Sequence, residues 1–160
     1  MPMPLLVLIV LAAVTATAGG GDTGKVKLTP QEQAVLDQTN EQRKKEGLKP
    51  LVVNATLVEV ARKHAQAMAK LRKMEHVIDG IGPDERFKKA GYKFATYGEN
   101  IHWSKGLDDK AADLAMKDWL ASKVHRGNLL SKDFTEVGIG VAANDAGETY
   151  FTQDFGRPLK

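Results

Sequence analysis

The residues best suited to chemistry are histidines and glutamates that are spread widely along the chain. His76, Glu99, His125 and Glu136 together offer two imidazoles and two carboxylates. Such a set could bind a divalent cation or transfer protons between a substrate and solvent. The four positions lie far apart in sequence, so their spacing alone does not show that they meet. The alternative is that they are separate, unrelated polar side chains.

Glu136 stands at the head of an unusual stretch, a predicted strand over residues 135–143. Because strand side chains alternate, Glu136 shares one face with Gly138 and Gly140. Glycine weakens a strand, so the two glycines indicate that something approaches this face closely. Two interpretations stay open with equal weight. The face could be one wall of a site, with His125 upstream of it, or a β-bulge beside a surface glutamate and a surface histidine.

The common signatures of catalysis are missing from the sequence. It contains no GxSxG elbow, no HExxH, no P-loop and no cysteine. Ser122 could be a hydroxyl nucleophile, but no base can be identified beside it, so a helix-cap or turn role is favoured. His64 falls on the apolar stripe of a predicted helix, which is typical of a hydrogen-bonded core residue.

The amino terminus predicts export from the cytoplasm. An apolar run over residues 5–14, followed by small residues, is typical of a secretory signal peptide at residues 1–18. The run is too short for a permanent transmembrane helix. Residues 19–27 are glycine-rich and predict a flexible linker, which leaves residues 28–160 as one domain. We therefore expect a secreted protein, extracellular or periplasmic, without integral membrane association after cleavage.

Charge and cysteine content narrow the classes of partner. The 23 basic and 20 acidic residues are interspersed and give a net charge of +3, which argues against a nucleic-acid partner. The absence of cysteine excludes a lipid-anchored form and means that packing, not disulfides, must stabilise the domain.

Helices precede most of the strands, which predicts an α+β fold with a largely antiparallel sheet. Thr29 and Glu32 are predicted to form a capping box for the first helix, and Asn54 is predicted to cap the second. The remaining expected elements are a short helix at 84–90, a turn into a strand at 98–101, a helix with a buried stripe at 112–119, a helical turn at 125–130, and a hairpin of strands 135–143 and 149–155.

Four ordered sequence blocks resemble a known family. They are NEQR with GLKPL, HAQAMAKLRKMEH, GENI, and WLASKVHRGNLL followed by FTEVGIGVA and YFTQDFG. Together they run from about residue 28 to residue 155. They are similar to the CAP superfamily, the SCP-like extracellular domain of cysteine-rich secretory, antigen 5 and pathogenesis-related 1 proteins, in its cysteine-free bacterial branch.

The resemblance implies a three-layer α-β-α sandwich around a cavity of two histidines and two glutamates. The first histidine falls on His76 and the first glutamate on Glu99. Animal members have a glutamate and a histidine where this chain has Ser122 and Asp133, so we take His125 and Glu136 as their replacements. Some members hold a divalent metal, often zinc, and the cavity is expected to do so here.

The same resemblance suggests roles for the surrounding residues. Asn100 and Asn128 are expected to support loops near the cavity, with His102 and Ser122 at its rim. Trp119 and Phe134 are expected in the core.

Three functions are compatible with the resemblance. The first is a non-catalytic extracellular binding module, with a groove for a lipid, glycan or peptide. The second is a metal-dependent hydrolase, a peptidase or wall-processing enzyme with Glu99 or Glu136 as base. The third is a structural envelope or matrix component. We favour binding over hydrolysis, because the sequence offers no dedicated nucleophile and no compact metal motif.

Overall fold

The computed structural model describes residues 26–160. The predicted signal peptide and most of the predicted linker therefore lie outside the described residues. The helices are α1 (Pro30–Lys45), α2 (Ala55–Leu71), α3 (Pro83–Lys89), α4 (Ala111–Ala121) and α5 (Lys123–Leu129), with a 3₁₀ turn at Asp108–Lys110. The strands are β1 (Val52–Val53), β2 (Phe94–Lys105), β3 (Glu136–Ala143) and β4 (Glu148–Pro158).

The strands form one sheet between two helical layers. Its order is β1-β3-β4-β2, with β1 parallel to β3 and the other pairs antiparallel. Helix α2 packs on one face against β3 and β4, while α1, α4 and α5 contact the sheet from the other. This arrangement confirms the predicted α-β-α sandwich. Strand β2 is at one edge, so side chains from both faces can meet beyond it.

The helix starts follow from local hydrogen bonds. Thr29 Oγ1 accepts a bond from the backbone N–H of Glu32 at 3.3 Å, and the Glu32 carboxylate accepts one from the backbone N–H of Thr29 at 2.8 Å. Asn54 Oδ1 accepts from the backbone N–H of Leu57 at 3.1 Å. Both predicted caps are confirmed, and each satisfies backbone donors that the first turn of a helix leaves free.

A buried arginine joins α1 to the chain that follows α5. Arg43 is 2% exposed and donates to the carbonyl oxygens of Lys49, Leu129 and Ser131 at 2.8–2.9 Å. Carbonyl oxygens satisfy the guanidinium donors and lower the cost of burying its charge. Arg43 therefore stabilises the connection that carries α5 to β3.

The two glycines of β3 are explained by helix packing. A methyl group on Gly138 would lie 2.1 Å from the carbonyl carbon of Leu57, and one on Gly140 would lie 2.2 Å from that of Ala61. The predicted close approach is confirmed, but the approaching body is the backbone of α2 rather than a ligand. This face of β3 is therefore a helix contact and not the wall of a cavity.

The predicted turn at residues 98–101 is wrong, because β2 runs without interruption from Phe94 to Lys105. The glycine there has a packing role instead. A methyl group on Gly98 would lie 2.8 Å from the ring of Phe134, which is buried together with Trp119 as predicted. Extended backbone at this point sends Glu99 and Asn100 to opposite faces of the sheet.

Candidate functional site

The site is organised around the carboxylate of Glu99. His76 Nδ1 lies 2.7 Å from Glu99 Oε1, and the guanidinium of Arg86 makes an ion pair with Oε2. His64 Nε2 lies 3.8 Å from the same Oε2. The carboxylate is almost fully buried, whereas the side chain of His76 is 48% exposed. His76 therefore connects a buried charge to solvent.

Four separate elements bring these side chains together. Glu99 points to the α2 face of edge strand β2, and His64 comes from the middle of α2. His76 lies on the segment after α2, and Arg86 on α3 also donates to the carbonyl oxygens of His76 and Ile81 at 2.9 and 3.1 Å. Arg86 therefore neutralises the carboxylate and fixes the segment that carries its histidine partner.

These contacts keep Glu99 ionised. Burial alone would raise its pKa, but the hydrogen bond from His76 and the positive charge of Arg86 lower the pKa below its ordinary value. With Glu99 ionised, Nδ1 of His76 carries the proton of that hydrogen bond. The tautomer that follows leaves Nε2 of His76 as the nitrogen able to bind a cation.

Asp154 lies opposite Glu99 on the neighbouring strand, and its pKa is shifted in the opposite direction. It is the cross-strand partner of Glu99 on β4, is fully buried, and receives no hydrogen bond at either oxygen from the described part of the chain. Burial, followed by the charge of Glu99, raises the pKa of Asp154 well above its ordinary value. In its protonated form, Asp154 can donate a hydrogen bond to Glu99.

His64 is a neutral imidazole at the inner end of the cluster. Burial is the main cause that lowers its pKa to about 4, and the nearby charge of Glu99 only partly opposes this. A bond to the backbone of Glu75 engages the ring, while Nε2 is buried without a hydrogen-bond partner in residues 26–160. The predicted core position is confirmed, and Nε2 is an unsatisfied acceptor.

On the opposite face of β2, two asparagines hold α5 against the strand. Asn128 Nδ2 donates to the backbone oxygen of Glu99 at 3.2 Å and to Asn100 Oδ1 at 2.9 Å. Asn100 Nδ2 donates to the backbone oxygen of His125 at 3.1 Å. The sequence Gly98-Glu99-Asn100 therefore places the Glu99 carboxylate on one face of β2 and the hydrogen bonds that hold α5 on the other face.

His125 approaches the site from α5. Burial lowers its pKa, and its backbone oxygen accepts the hydrogen bond from Asn100 that holds α5 beside β2. Ser122 caps α5, with its Oγ 3.5 Å from the backbone nitrogen of His125. His102 Nε2 pairs with Asp118 at 2.8 Å. A neutral His125 keeps a lone pair for a metal.

Glu136 is engaged elsewhere. Its Oε2 accepts hydrogen bonds from Tyr92 Oη at 2.7 Å and Asn54 Nδ2 at 3.1 Å. It lies on β3, two strands from Glu99, and a strand spacing of about 4.8 Å puts roughly 10 Å between the two backbones. The structure thus brings together His76 and Glu99, with His125 nearby, but it does not gather all four predicted residues at one point.

The comparison with protein families decides the identity of this fold. A model described as "CAP: Cysteine-rich secretory protein family" matches residues 36–155. The chain belongs to the CAP family. That membership confirms the resemblance carried by the four sequence blocks.

Relatives with curated sequences match the CAP domain over part of their length. YkwD of Bacillus subtilis (strain 168) is 35% identical over 125 residues, which cover 78% of this chain and 46% of that protein. The membrane protein YlbC of the same organism is 34% identical over 128 residues, covering 79% of this chain and 34% of that protein. This chain therefore spans less than half the length of either relative.

Solved structures share the CAP fold. An outer surface protein of Borrelia burgdorferi superposes with a TM-score of 0.75 at 22% identity, covering 84% of this chain and 97% of that one. An extracellular SCP-domain protein of Bacillus anthracis has a TM-score of 0.69 at 28% identity, covering 82% and 45%. Within residues 26–160, no helix combines the length and apolar character needed to cross a bilayer.

Sequence reasoning did not identify two members of the site, Arg86 and Asp154. Arg86 lies in the charged segment PDERFKK, which gives no sign that one of its charges is buried. Asp154 could have been noticed in the sequence, because it is an acidic residue within the strand sequence YFTQDFG. In a central strand such a side chain is buried, so it must be paired with another group or be protonated. Recognising it required the position of β4 between β2 and β3.

Proposed function

We propose that this CAP domain is an extracellular binding module that holds a divalent metal, zinc by preference, through His76 and His125. The observation that carries the proposal is the contact between Glu99 and Nδ1 of a half-exposed His76. A carboxylate on one ring nitrogen is the usual support for a histidine that binds metal through the other. Nε2 of His76 is therefore the expected ligand atom.

The charges at the site favour two imidazole ligands over a cluster that includes carboxylates. In residues 26–160, no three His, Asp or Glu side chains are arranged to hold a metal. Arg86 is ion-paired with Oε2 of Glu99, and Glu136 is bonded to Tyr92 and Asn54. We expect water or a ligand group to fill the remaining zinc positions, as in open zinc sites.

An extracellular location supports this assignment. The predicted signal peptide would export the domain, and the Bacillus anthracis neighbour is an extracellular protein. Outside the cell, a lipid, glycan or peptide is the expected ligand class, whereas the mild net charge of +3 does not favour nucleic acid. The bound metal would supply a Lewis-acid position for an oxygen or nitrogen of the ligand.

Zinc titration by calorimetry tests the proposal. Replacing both His76 and His125 with alanine should abolish the tight site, because both ligand nitrogens are removed. Glu99→Gln should weaken zinc binding by about 10–100-fold, since the orienting charge is lost. Glu136→Gln is the matched control and should bind like the parent protein. Unchanged binding by the double variant would refute the proposal.

A metal-dependent hydrolase is the second candidate, and the Glu99–Asp154 pair favours it. Two neighbouring carboxyl groups whose pKa values are shifted in opposite directions are a recurring arrangement for acid–base catalysis. A hydrolase would cleave casein or peptidoglycan fragments when zinc is present, and Glu99→Gln would abolish the cleavage. The binding proposal predicts that neither the parent protein nor Glu99→Gln cleaves these substrates. Cleavage by the parent that requires zinc and is absent in Glu99→Gln would show that the protein is a hydrolase.

A further inference from the structure

Trp103 is an exposed aromatic side chain that edge strand β2 holds in one orientation. It is 44% exposed and lies on the same face of the sheet as Ile101, which packs against α2. Its ring is stacked on that of Tyr150, its cross-strand partner on β4, with the ring centroids 6.4 Å apart and the planes inclined by 27°. Tyr150 is buried. One side of the indole is therefore supported by a buried ring, and the other is open to solvent.

A polar group lies at the edge of this ring pair. Glu148 Oε2 accepts hydrogen bonds from Tyr150 Oη at 3.4 Å and from Asn144 Nδ2 at 2.8 Å. Arg72 binds both oxygens of the same carboxylate, through Nε at 3.1 Å and Nη2 at 2.8 Å. The carboxylate is therefore fully engaged, whereas this side-on pairing leaves Nη1 of Arg72 for another group. The side chain of Arg72 is 58% exposed.

Arg72 has a backbone conformation that suits a smaller residue. It ends α2 in the left-handed region, with φ +54° and ψ +42°. Helices usually place glycine or asparagine there, because a Cβ crowds the following carbonyl oxygen. Other residues persist in this conformation where the surrounding structure holds them, and such positions cluster at binding sites. At this position the conformation sets the guanidinium against Glu148, beside the ring of Tyr150.

The charge that solvent meets around Trp103 is positive. Lys105 is exposed, lies two positions further along the same face of β2, and is the cross-strand partner of Glu148. Because the Glu148 carboxylate is largely buried and its oxygens are occupied, the exposed charges are the ammonium of Lys105 and the guanidinium of Arg72. This surface complements an anionic ligand and disfavours a cationic one.

A flat ring with donors at its edge matches a sugar better than a peptide strand. The C–H bonds on the face of a pyranose ring are attracted to the negative face of an indole, while a carboxylate on the sugar can reach the charged donors. A peptide that extended the sheet would need the backbone oxygens of β2. Those of Glu99 and Ile101 already accept side-chain hydrogen bonds at 3.2 and 3.0 Å, so strand addition is obstructed beside Trp103.

We propose that Trp103 is the stacking platform of a binding site for an acidic glycan built from uronic-acid units. A uronate ring lies on the open side of the indole, and its carboxylate accepts hydrogen bonds from Arg72 Nη1 and Lys105 Nζ. The inference rests on the proposed extracellular binding function, because it names the ligand class, but it uses neither metal ligand. Trp103 is four residues from Glu99 along β2, about 13 Å at roughly 3.3 Å per residue, so the two sites are separate.

Tryptophan fluorescence of the zinc-free protein, titrated with tetragalacturonate, tests the platform without a variant. The chain contains two tryptophans, and Trp119 is 1% exposed, so the long-wavelength emission comes from Trp103. Stacking should shift that emission to shorter wavelength. Terminally blocked tetraglutamate carries four carboxylates without a sugar ring, and chitotetraose carries sugar rings without the charge. Each should bind about tenfold more weakly than tetragalacturonate.

Calorimetry on variants tests the two kinds of contact separately. Trp103→Ala and Arg72→Gln should each weaken tetragalacturonate binding by about tenfold, and Trp103→Phe should keep part of the affinity, because a smaller ring remains. Arg126→Gln is the matched control for Arg72→Gln, because Arg126 is also an ion-paired arginine on a helix and its side chain is 54% exposed. Its affinity should not change.

Three results would each overturn the inference. They are an unshifted Trp103 emission at saturating tetragalacturonate, equal affinity for either analogue, and full affinity in a folded Trp103→Ala or Arg72→Gln protein. Because zinc is absent throughout, failure of the metal proposal would leave glycan binding intact, and failure of glycan binding would leave zinc binding intact.

Discussion

The contact between α2 and β3 permits a sharp prediction about Gly138. In Gly138→Ala, the new methyl group would lie 2.1 Å from the carbonyl carbon of Leu57, whereas ordinary contact begins near 3.4 Å. Helix and strand must therefore separate by about 1.3 Å, the difference between these two distances. The obstacle is backbone, which cannot turn aside as a flexible side chain can.

The expected cost follows from the rigidity of this contact. Overpacking a core costs about 1–3 kcal/mol, and an overlap with backbone belongs at or above the upper limit. A loss of about 3 kcal/mol should lower the melting temperature by roughly 6–12 °C for a chain of this size. Since α2 also carries His64, its displacement should disturb the 3.8 Å approach of His64 to Glu99.

Gly127→Ala is the matched control for this prediction. Gly127 lies within α5, and a methyl group there would meet no atom within 4 Å. Alanine is a better helix former than glycine, so this variant should be as stable as the parent or more stable by up to about 1 kcal/mol. Urea and thermal unfolding of both variants would measure the contrast. A Gly138→Ala protein destabilised by less than about 1 kcal/mol would refute the packing explanation.

Three further predictions concern residues 26–160. Asp154→Asn tests the raised pKa of Asp154. Because the folded pKa of Asp154 is raised, the contribution of this residue to stability is complete below about pH 4, and it is lost as the pH rises toward the folded pKa. The parent should therefore lose stability relative to the variant by about 1.4 kcal/mol per pH unit in urea unfolding, and parallel profiles would contradict this. Arg43→Ala should destabilise the fold by about 3 kcal/mol or more in the same assay, because three carbonyl oxygens lose a buried donor at about 1–3 kcal/mol each, and a cost below about 1 kcal/mol would exclude that role. Thr29→Ala should cost about 1 kcal/mol, with fraying of the first turn of α1 visible by amide exchange, and unchanged exchange would show that the cap is dispensable.

Local patterns predicted those parts of the fold that depend on neighbouring residues. The capping box at Thr29 and Glu32, the cap at Asn54, and the hairpin loop at residues 144–147 all appear as expected. Each involves atoms a few residues apart, so the sequence contains both partners. The turn predicted at Gly98 failed because the reason for that glycine is the ring of Phe134, which is distant in sequence.

The site was less predictable because its contacts are long-range. His76 and Glu99 followed from family resemblance, and the structure places their side chains in contact. Glu136 was proposed from the two glycines that follow it and, through the family resemblance, as a replacement for a missing site residue. Those glycines accommodate α2, and the carboxylate of Glu136 accepts a hydrogen bond from Tyr92. The groups that lower the pKa of Glu99 include Arg86 on α3 and Asp154 on β4, and no local pattern connects these elements to His76.

The most direct test of the account is anomalous diffraction from crystals of this protein soaked in zinc. We predict a zinc peak about 2.0–2.1 Å from Nε2 of His76 and from a ring nitrogen of His125, with Glu99 retained on Nδ1 of His76. A peak at Glu136, or a zinc ion bound directly by Glu99 with His76 displaced, would contradict the proposed site.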